Sequence, residues 1–92
     1  MDLTLTAAAR QAIARDLPPG TFLRIAFAGG CGALGFRLAA TRRRLADDLL
    51  MTVDGAPLLL DRQAARDLDG ARLDFEPEEG FVLDHPRWGT SC

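Results

Sequence analysis

Thr21-Phe22-Leu23-Arg24-Ile25-Ala26-Phe27-Ala28-Gly29-Gly30-Cys31-Gly32-Ala33-Leu34-Gly35-Phe36-Arg37-Leu38 is the stretch on which the fold turns. Thr21 to Ala28 reads as a strand, because Leu23, Ile25 and Phe27 alternate onto one face and Arg24 falls on the other. The segment after the glycines decides the rest. A second strand over Leu34–Leu38, with Leu34, Phe36 and Leu38 on one face, makes the glycines the loop of a strand–loop–strand unit. A helix there would instead make Gly30-Cys31-Gly32-Ala33-Leu34-Gly35 a G-x-G-x-x-G turn. Asp54, 19 residues after Gly35, would then be the acidic partner of a dinucleotide-binding fingerprint.

Three physical objections decide against the helix. The chain has 92 residues, too few for the several strand–helix–strand units that build a dinucleotide crevice. Asp54 is followed by Gly55, a hairpin-turn pair, and so does not end a second parallel strand. A helix over Phe36–Leu50 would also spread Arg42, Arg43 and Arg44 around its circumference and leave a weak apolar face.

Outward from this stretch, residues 4–17 read as a short helix with Thr6 as its N-cap. Ala9, Ala12, Ile13 and Leu17 form its apolar stripe. Pro18-Pro19-Gly20 ends it. Leu49–Val53 and Pro57–Leu60 flank the Asp54-Gly55 turn as a hairpin. Asp61–Leu68 reads as a short helix or turn. Asp69-Gly70 is another turn, followed by strands near Ala71–Phe75 and Gly80–Leu83 joined by Pro77, Glu78 and Glu79. His85–Cys92 has no periodicity and reads as a loop or mobile end. The expected architecture is α+β and mainly β: short strands in a sandwich or barrel with an N-terminal helix, a domain over 1–84 and a tail over 85–92.

Apolar residues make up 48% of the chain, enough to build one core. The charge count, 11 basic against 13 acidic residues, gives no basic excess for nucleic acid or an anionic membrane. Arg42-Arg43-Arg44, close to Asp47 and Asp48, reads as a solvated loop. No apolar run approaches the ~20 residues that cross a bilayer, and the opening Met1-Asp2-Leu3 starts no signal-peptide pattern, so a cytoplasmic protein is expected.

In a reducing compartment two cysteines point to metal ligation or reactive thiols rather than a structural disulfide. Cys31 has glycine on both sides, so few side chains cover its thiol and backbone N–H groups lie close. Cys92, on the tail, is positioned to close over whatever Cys31 holds. The bland readings are a small buried hydrophobe for Cys31 and a frayed end for Cys92. His85 is read as an exposed loop histidine, with substitution for a thiolate as its functional alternative. Trp88 either shields this site or anchors the tail.

An ordered series of fragments resembles the A-type iron–sulfur carriers, the HesB-like or IscA-type family. It runs from Leu3-Thr4-Leu5-Thr6-Ala7-Ala8-Ala9, similar to the family's strand-to-helix entry, through Leu23-Arg24-Ile25 and Gly29-Gly30-Cys31 to Phe36. Val53-Asp54-Gly55, Leu60-Asp61, Leu68-Asp69-Gly70, Leu73-Asp74-Phe75, Gly80-Phe81 and Pro86 follow in the family's order. The resemblance implies a HesB-like fold and three functional cysteines. Cys31 matches the one in the glycine loop, and Cys92 falls where the first of a C-terminal cysteine-x-cysteine pair belongs. The second of that pair has no match. Gly32-Ala33-Leu34-Gly35 departs from the family's serine-glycine-phenylalanine-serine, and His85 stands where asparagine is usual. A trimmed chain, a degenerate relative or a recoded codon each fits a sequence that stops at Cys92.

The resemblance implies a carrier or scaffold that delivers iron or an iron–sulfur cluster, [2Fe-2S] or [4Fe-4S], to apo-proteins, working with cluster-assembly proteins. Clusters are commonly held by four thiolates, and two subunits of a homodimer or higher homo-oligomer supply four from Cys31 and Cys92. No enzymatic activity is expected: a Cys31 nucleophile would need a neighbouring base or positive dipole, His85 is the only histidine, and no acid partner is evident from spacing. The alternative is a degenerate HesB-like scaffold with a protein-interaction role and no metal.

Overall fold

The computed structural model describes residues 2–30 and 32–88; Met1, Cys31 and residues 89–92 lie outside the described set. The chain runs through β1 (Thr4–Leu5), α1 (Ala7–Asp16), β2 (Phe22–Phe27), a 3₁₀ turn (Gly32–Gly35) and β3 (Phe36–Thr41). It continues through β4 (Leu49–Val53), β5 (Ala56–Leu60), α2 (Arg62–Asp67), β6 (Arg72–Glu76) and β7 (Gly80–Asp84). The strands form two sheets, ordered β1-β6-β7 and β3-β2-β5-β4. The expected mainly β, α+β architecture is what forms.

Strand β5 explains the larger sheet. It pairs parallel with β2 and antiparallel with β4. Leu58, Leu59 and Leu60 are all fully buried: Leu58 and Leu60 join the apolar core, and Leu59, in register with Arg24, is covered on the other face of the sheet. A continuous leucine run is what such a doubly covered strand requires. The β4–β5 hairpin turns at Asp54 and Gly55, both with positive φ (51° and 84°). That is the backbone demanded by a two-residue turn matching strand twist.

The stretch that decides the fold is a hairpin. Strands β2 and β3 pair antiparallel from Phe22 opposite Thr41 to Phe27 opposite Phe36. The glycines lead into β3 rather than a long helix, which removes the dinucleotide geometry. One detail differs from expectation. Leu34 does not begin the second strand; it lies on the 3₁₀ turn with 80% of its surface exposed. The strand starts two residues later, at Phe36, once the chain has finished reversing.

The N-terminus differs from the helix read over residues 4–17 and follows the strand-to-helix entry that the family resemblance implies. Thr4 and Leu5 are a strand, paired parallel with Arg72 and Leu73 of β6, and the helix begins only at Ala7. Thr6 separates the two elements as the N-cap. Its hydroxyl accepts from the Ala9 N–H at 3.1 Å and donates to Asp74 at 2.6 Å. That hydroxyl, helped by the Phe75 N–H, holds the Asp74 carboxyl below its ordinary value. Helix α1 then buries Ala9, Ala12 and Ile13.

Arg42, Arg43 and Arg44 are exposed, as expected of a solvated loop. Asp48 behaves differently from a loop counter-charge. It is buried and takes both nitrogens of a two-pronged contact from Arg24 of β2, at 2.9 and 3.0 Å, plus the Leu45 N–H at 3.0 Å. The Arg24 hydrogen bonds hold its carboxyl below the ordinary value against the opposing effect of burial. This pair pins the loop before β4 to the face of β2 away from the core.

Candidate functional site

The glycine loop emerges from the end of β2 and is closed by an Ala28 N–H bond to the Gly35 carbonyl at 2.7 Å. Within it the backbone of Gly30 lies against Gly35. A Cβ on Gly35 would come within 3.2 Å of the Gly30 carbonyl oxygen, and Gly30 itself has φ +118°. A side chain at Gly30 would strain the backbone, and one at Gly35 would crowd the Gly30 carbonyl. The loop flanking Cys31 is shaped by backbone packing.

Asp61 fixes the loop from below. One carboxylate oxygen caps α2 through the Ala64 N–H at 2.7 Å, and the other accepts from the Phe27 N–H at 2.9 Å. The Asp61 N–H in turn bonds the Ile25 carbonyl at 3.2 Å. One residue thus ties the start of α2 to the last residues of β2, immediately before the glycines.

Above the loop stands an aromatic group. Phe27 meets Phe36 edge-on with centroids 5.6 Å apart, and Trp88 stacks on Phe36 at 6.1 Å and 22°. The indole also lies beside Gly32, 3.8 Å from where a Cβ would stand there. Trp88 therefore both anchors the segment after β7 and covers the residue next to Cys31.

His85 is the residue whose expected state is overturned. It is buried, not an exposed loop histidine. Its Nδ1 accepts the Arg87 N–H at 2.9 Å, so Nδ1 is unprotonated and Nε2 donates to the Asp69 carbonyl at 2.7 Å. Both ring nitrogens are committed to backbone partners. A Trp88 N–H bond to the His85 carbonyl at 3.0 Å completes the turn. Burial arises from tertiary contact with the Asp69-Gly70 turn, where a Cβ on Gly70 would lie 3.4 Å from Nε2. The imidazole holds the backbone of residues 85–88 in place and has no free nitrogen for a metal.

Phe27, Gly30, Gly32, Phe36, His85 and Trp88 line a cavity of about 370 Å³ whose remaining wall is Arg66, Asp67 and Arg87. Among the described residues no three His, Cys, Asp or Glu side chains gather as a metal site. Cys31 and Cys92, the two expected ligands, lie outside the described residues. The structure brings together their sequence neighbours: Gly30 and Gly32 on one side, Trp88 on the other. Asp61, Arg66 and Arg87 had no place in the expected site. A capping aspartate before a short helix was a readable signal for Asp61; the two arginines carried none.

Among the described residues no helix is long and apolar enough to cross a membrane. Residues 1–87 match the family described as iron–sulphur cluster biosynthesis. A protein from Azotobacter vinelandii encoded in the region 5′ of nifU, itself uncharacterized, is 35% identical over 98% of this chain and 92% of its own length. A putative iron–sulfur cluster insertion protein, ErpA 2 of Burkholderia vietnamiensis, is 33% identical over the whole chain and 79% of its own length. The crystal structure of Escherichia coli SufA, involved in biosynthesis of iron–sulfur clusters, superposes with a TM-score of 0.63. It is 33% identical and covers 94% of this chain and 87% of that one. IscA with a [2Fe-2S] cluster, at 24% identity, shares the fold with a TM-score of 0.67 over 99% of this chain and 91% of its own. With a β2–β3 hairpin carrying Gly29-Gly30-Cys31 and a family match over nearly its full length, the chain belongs to the iron–sulphur cluster biosynthesis family of A-type carriers.

Proposed function

We propose that this protein carries an iron–sulfur cluster, or iron, and delivers it to apo-proteins, with the Cys31 and Cys92 thiolates as ligands. The observation that carries the reading is the seat of Trp88 beside Gly32. Gly32 adjoins Cys31, and Cys92 follows Trp88 by four residues. Four residues of extended chain reach up to ~14 Å, enough to bring the second thiol back to the first. Two subunits related by a two-fold axis then supply four thiolates, the usual complement of a cluster.

An open loop site suits transfer. The Cys31 neighbours are glycines, so a recipient's thiolates can approach the cargo with little steric resistance, and ligand exchange proceeds thiolate by thiolate. Phe27, Phe36 and Trp88 keep one side of the site apolar. The protein's own part is to hold and release the cargo, without catalysing a reaction. Anaerobic reconstitution with iron and sulfide tests this: the wild type takes up visible thiolate-to-iron absorption and Cys31→Ser loses it. A wild type that stays colourless contradicts the reading.

A further inference from the structure

The cavity beside the glycine loop carries a charge arrangement that the carrier reading does not use. Arg66 comes from the last turn of α2 and Arg87 from the turn after β7, and both line the same cavity of about 370 Å³. Among the described residues neither has a carboxylate within ion-pair distance, a condition shared with Arg37, Arg42, Arg43 and Arg44, but only Arg66 and Arg87 line this cavity. The one acidic side chain on the wall, Asp67, is engaged by the Gln63 amide at 2.8 Å. The His85 ring nitrogens are both engaged by backbone groups. Two arginines and one aspartate thus line a hollow whose other walls are Phe27, Phe36, Trp88, His85 and glycine backbone.

We propose that Arg66 and Arg87 make this cavity a binding site for a small dicarboxylate that sits against Gly30 and Gly32 of the glycine loop. Each planar guanidinium presents paired N–H donors that match a carboxylate, and arginines from two different elements suit a ligand with two such groups. The space accommodates a molecule up to the size of a short peptide. Its middle would rest against Phe27, Phe36 and Trp88, faces that also favour contact with sulfur. A plain dicarboxylate and a dicarboxylate that also bears a thiol share this chemistry. The inference rests on the carrier reading for the ligand's role next to Cys31, while the binding itself needs no metal.

Trp88 is the only tryptophan in the chain and lines the cavity, so its fluorescence reports occupancy. The metal-free full chain is titrated with succinate and, separately, with reduced glutathione, which has two carboxylates and a thiol. A saturable change at millimolar ligand is expected, weakened about tenfold or more in Arg66→Gln and in Arg87→Gln and weakened by added salt. Equal affinity for the two probes identifies a site for carboxylates alone; tighter glutathione binding adds a contribution from its sulfur or its length. Absence of a saturable change with both probes, or equal affinity in wild type and both variants, overturns the proposal. Both arginines are exposed, and thermal melting of the variants verifies that they fold. With iron absent throughout, a negative titration leaves cluster binding by Cys31 untouched, and a colourless reconstitution leaves this titration untouched.

Discussion

The indole of Trp88 stacks on the ring of Phe36, centroids 6.1 Å apart and 22° from parallel, and so joins the segment after β7 to the first residue of β3. Phe36 is buried and Trp88 half-buried. Trp88→Ala should therefore destabilise the fold by about 1–2 kcal/mol, less than truncating a fully buried aromatic residue, while Trp88→Phe recovers most of the loss. Urea unfolding of the two variants checks the order. A Trp88→Ala protein as stable as wild type would show that the stacking contributes nothing.

His85 serves the same segment by a different route. Removing its ring leaves the Asp69 carbonyl and the Arg87 N–H without their partners, so His85→Ala should cost about 2–3 kcal/mol. Because both nitrogens are already occupied by backbone groups, the variant that folds should still take up iron on reconstitution. Unfolding midpoints and visible absorption, measured side by side, separate this structural role from ligation. Colour lost in a folded variant would make His85 a ligand after all.

The Arg24–Asp48 pair sets an acid sensitivity. The Asp48 carboxyl is held below its ordinary value by the Arg24 hydrogen bonds, so the folded state binds its proton less readily than the unfolded chain does. Its contribution is present above the unfolded carboxylate value and is lost as pH falls through the depressed folded one, from about pH 4 downward. Asp48→Asn should remove this part of the pH slope and cost about 2–3 kcal/mol at neutral pH, since Arg24 is left partly buried without its counter-charge. Denaturant titrations between pH 7 and strong acid provide the comparison; parallel slopes for both proteins would contradict it.

Asp61 links the cap of α2 to the loop that carries Cys31. Asp61→Ala should cost about 1–2 kcal/mol, the range for a lost N-cap. The sharper expectation is local: amide exchange should accelerate at Phe27 and Ala64, whose N–H groups donate to its carboxylate, more than at Leu59 in the central strand. Uniform acceleration would mean that the loop is not specifically anchored by this residue.

Much of this arrangement was legible in the sequence where the signal is local. The Asp54-Gly55 turn, the alternation Leu23-Arg24-Ile25, and the cap at Thr6 each act within a few residues, and each forms as expected. The misreadings involve distant partners. A two-residue strand at Thr4–Leu5 has no periodicity of its own and exists because Arg72 and Leu73 pair with it. Leu34 fitted a strand pattern, but the glycines on either side of the turn allow a 3₁₀ reversal that carries it into solvent. His85 is buried by a turn sixteen residues earlier in the chain, and the Asp48 carboxylate is gripped by Arg24, while Arg44 of the neighbouring run donates to the Asp48 backbone carbonyl. Cys31, the proposed ligand, was marked by its glycines, whereas Arg66 and Arg87 meet at the cavity only through folding.

Cluster binding through Cys31 is measured most directly by anaerobic reconstitution followed by visible absorption, with iron and sulfide determined per chain. Thiolate-to-iron bands are expected in the wild type, with their loss in Cys31→Ser, their weakening in Cys92→Ser and the coloured species at the mass of a dimer. A wild-type protein that remains colourless, or a Cys31→Ser variant that colours as strongly as wild type, would contradict it.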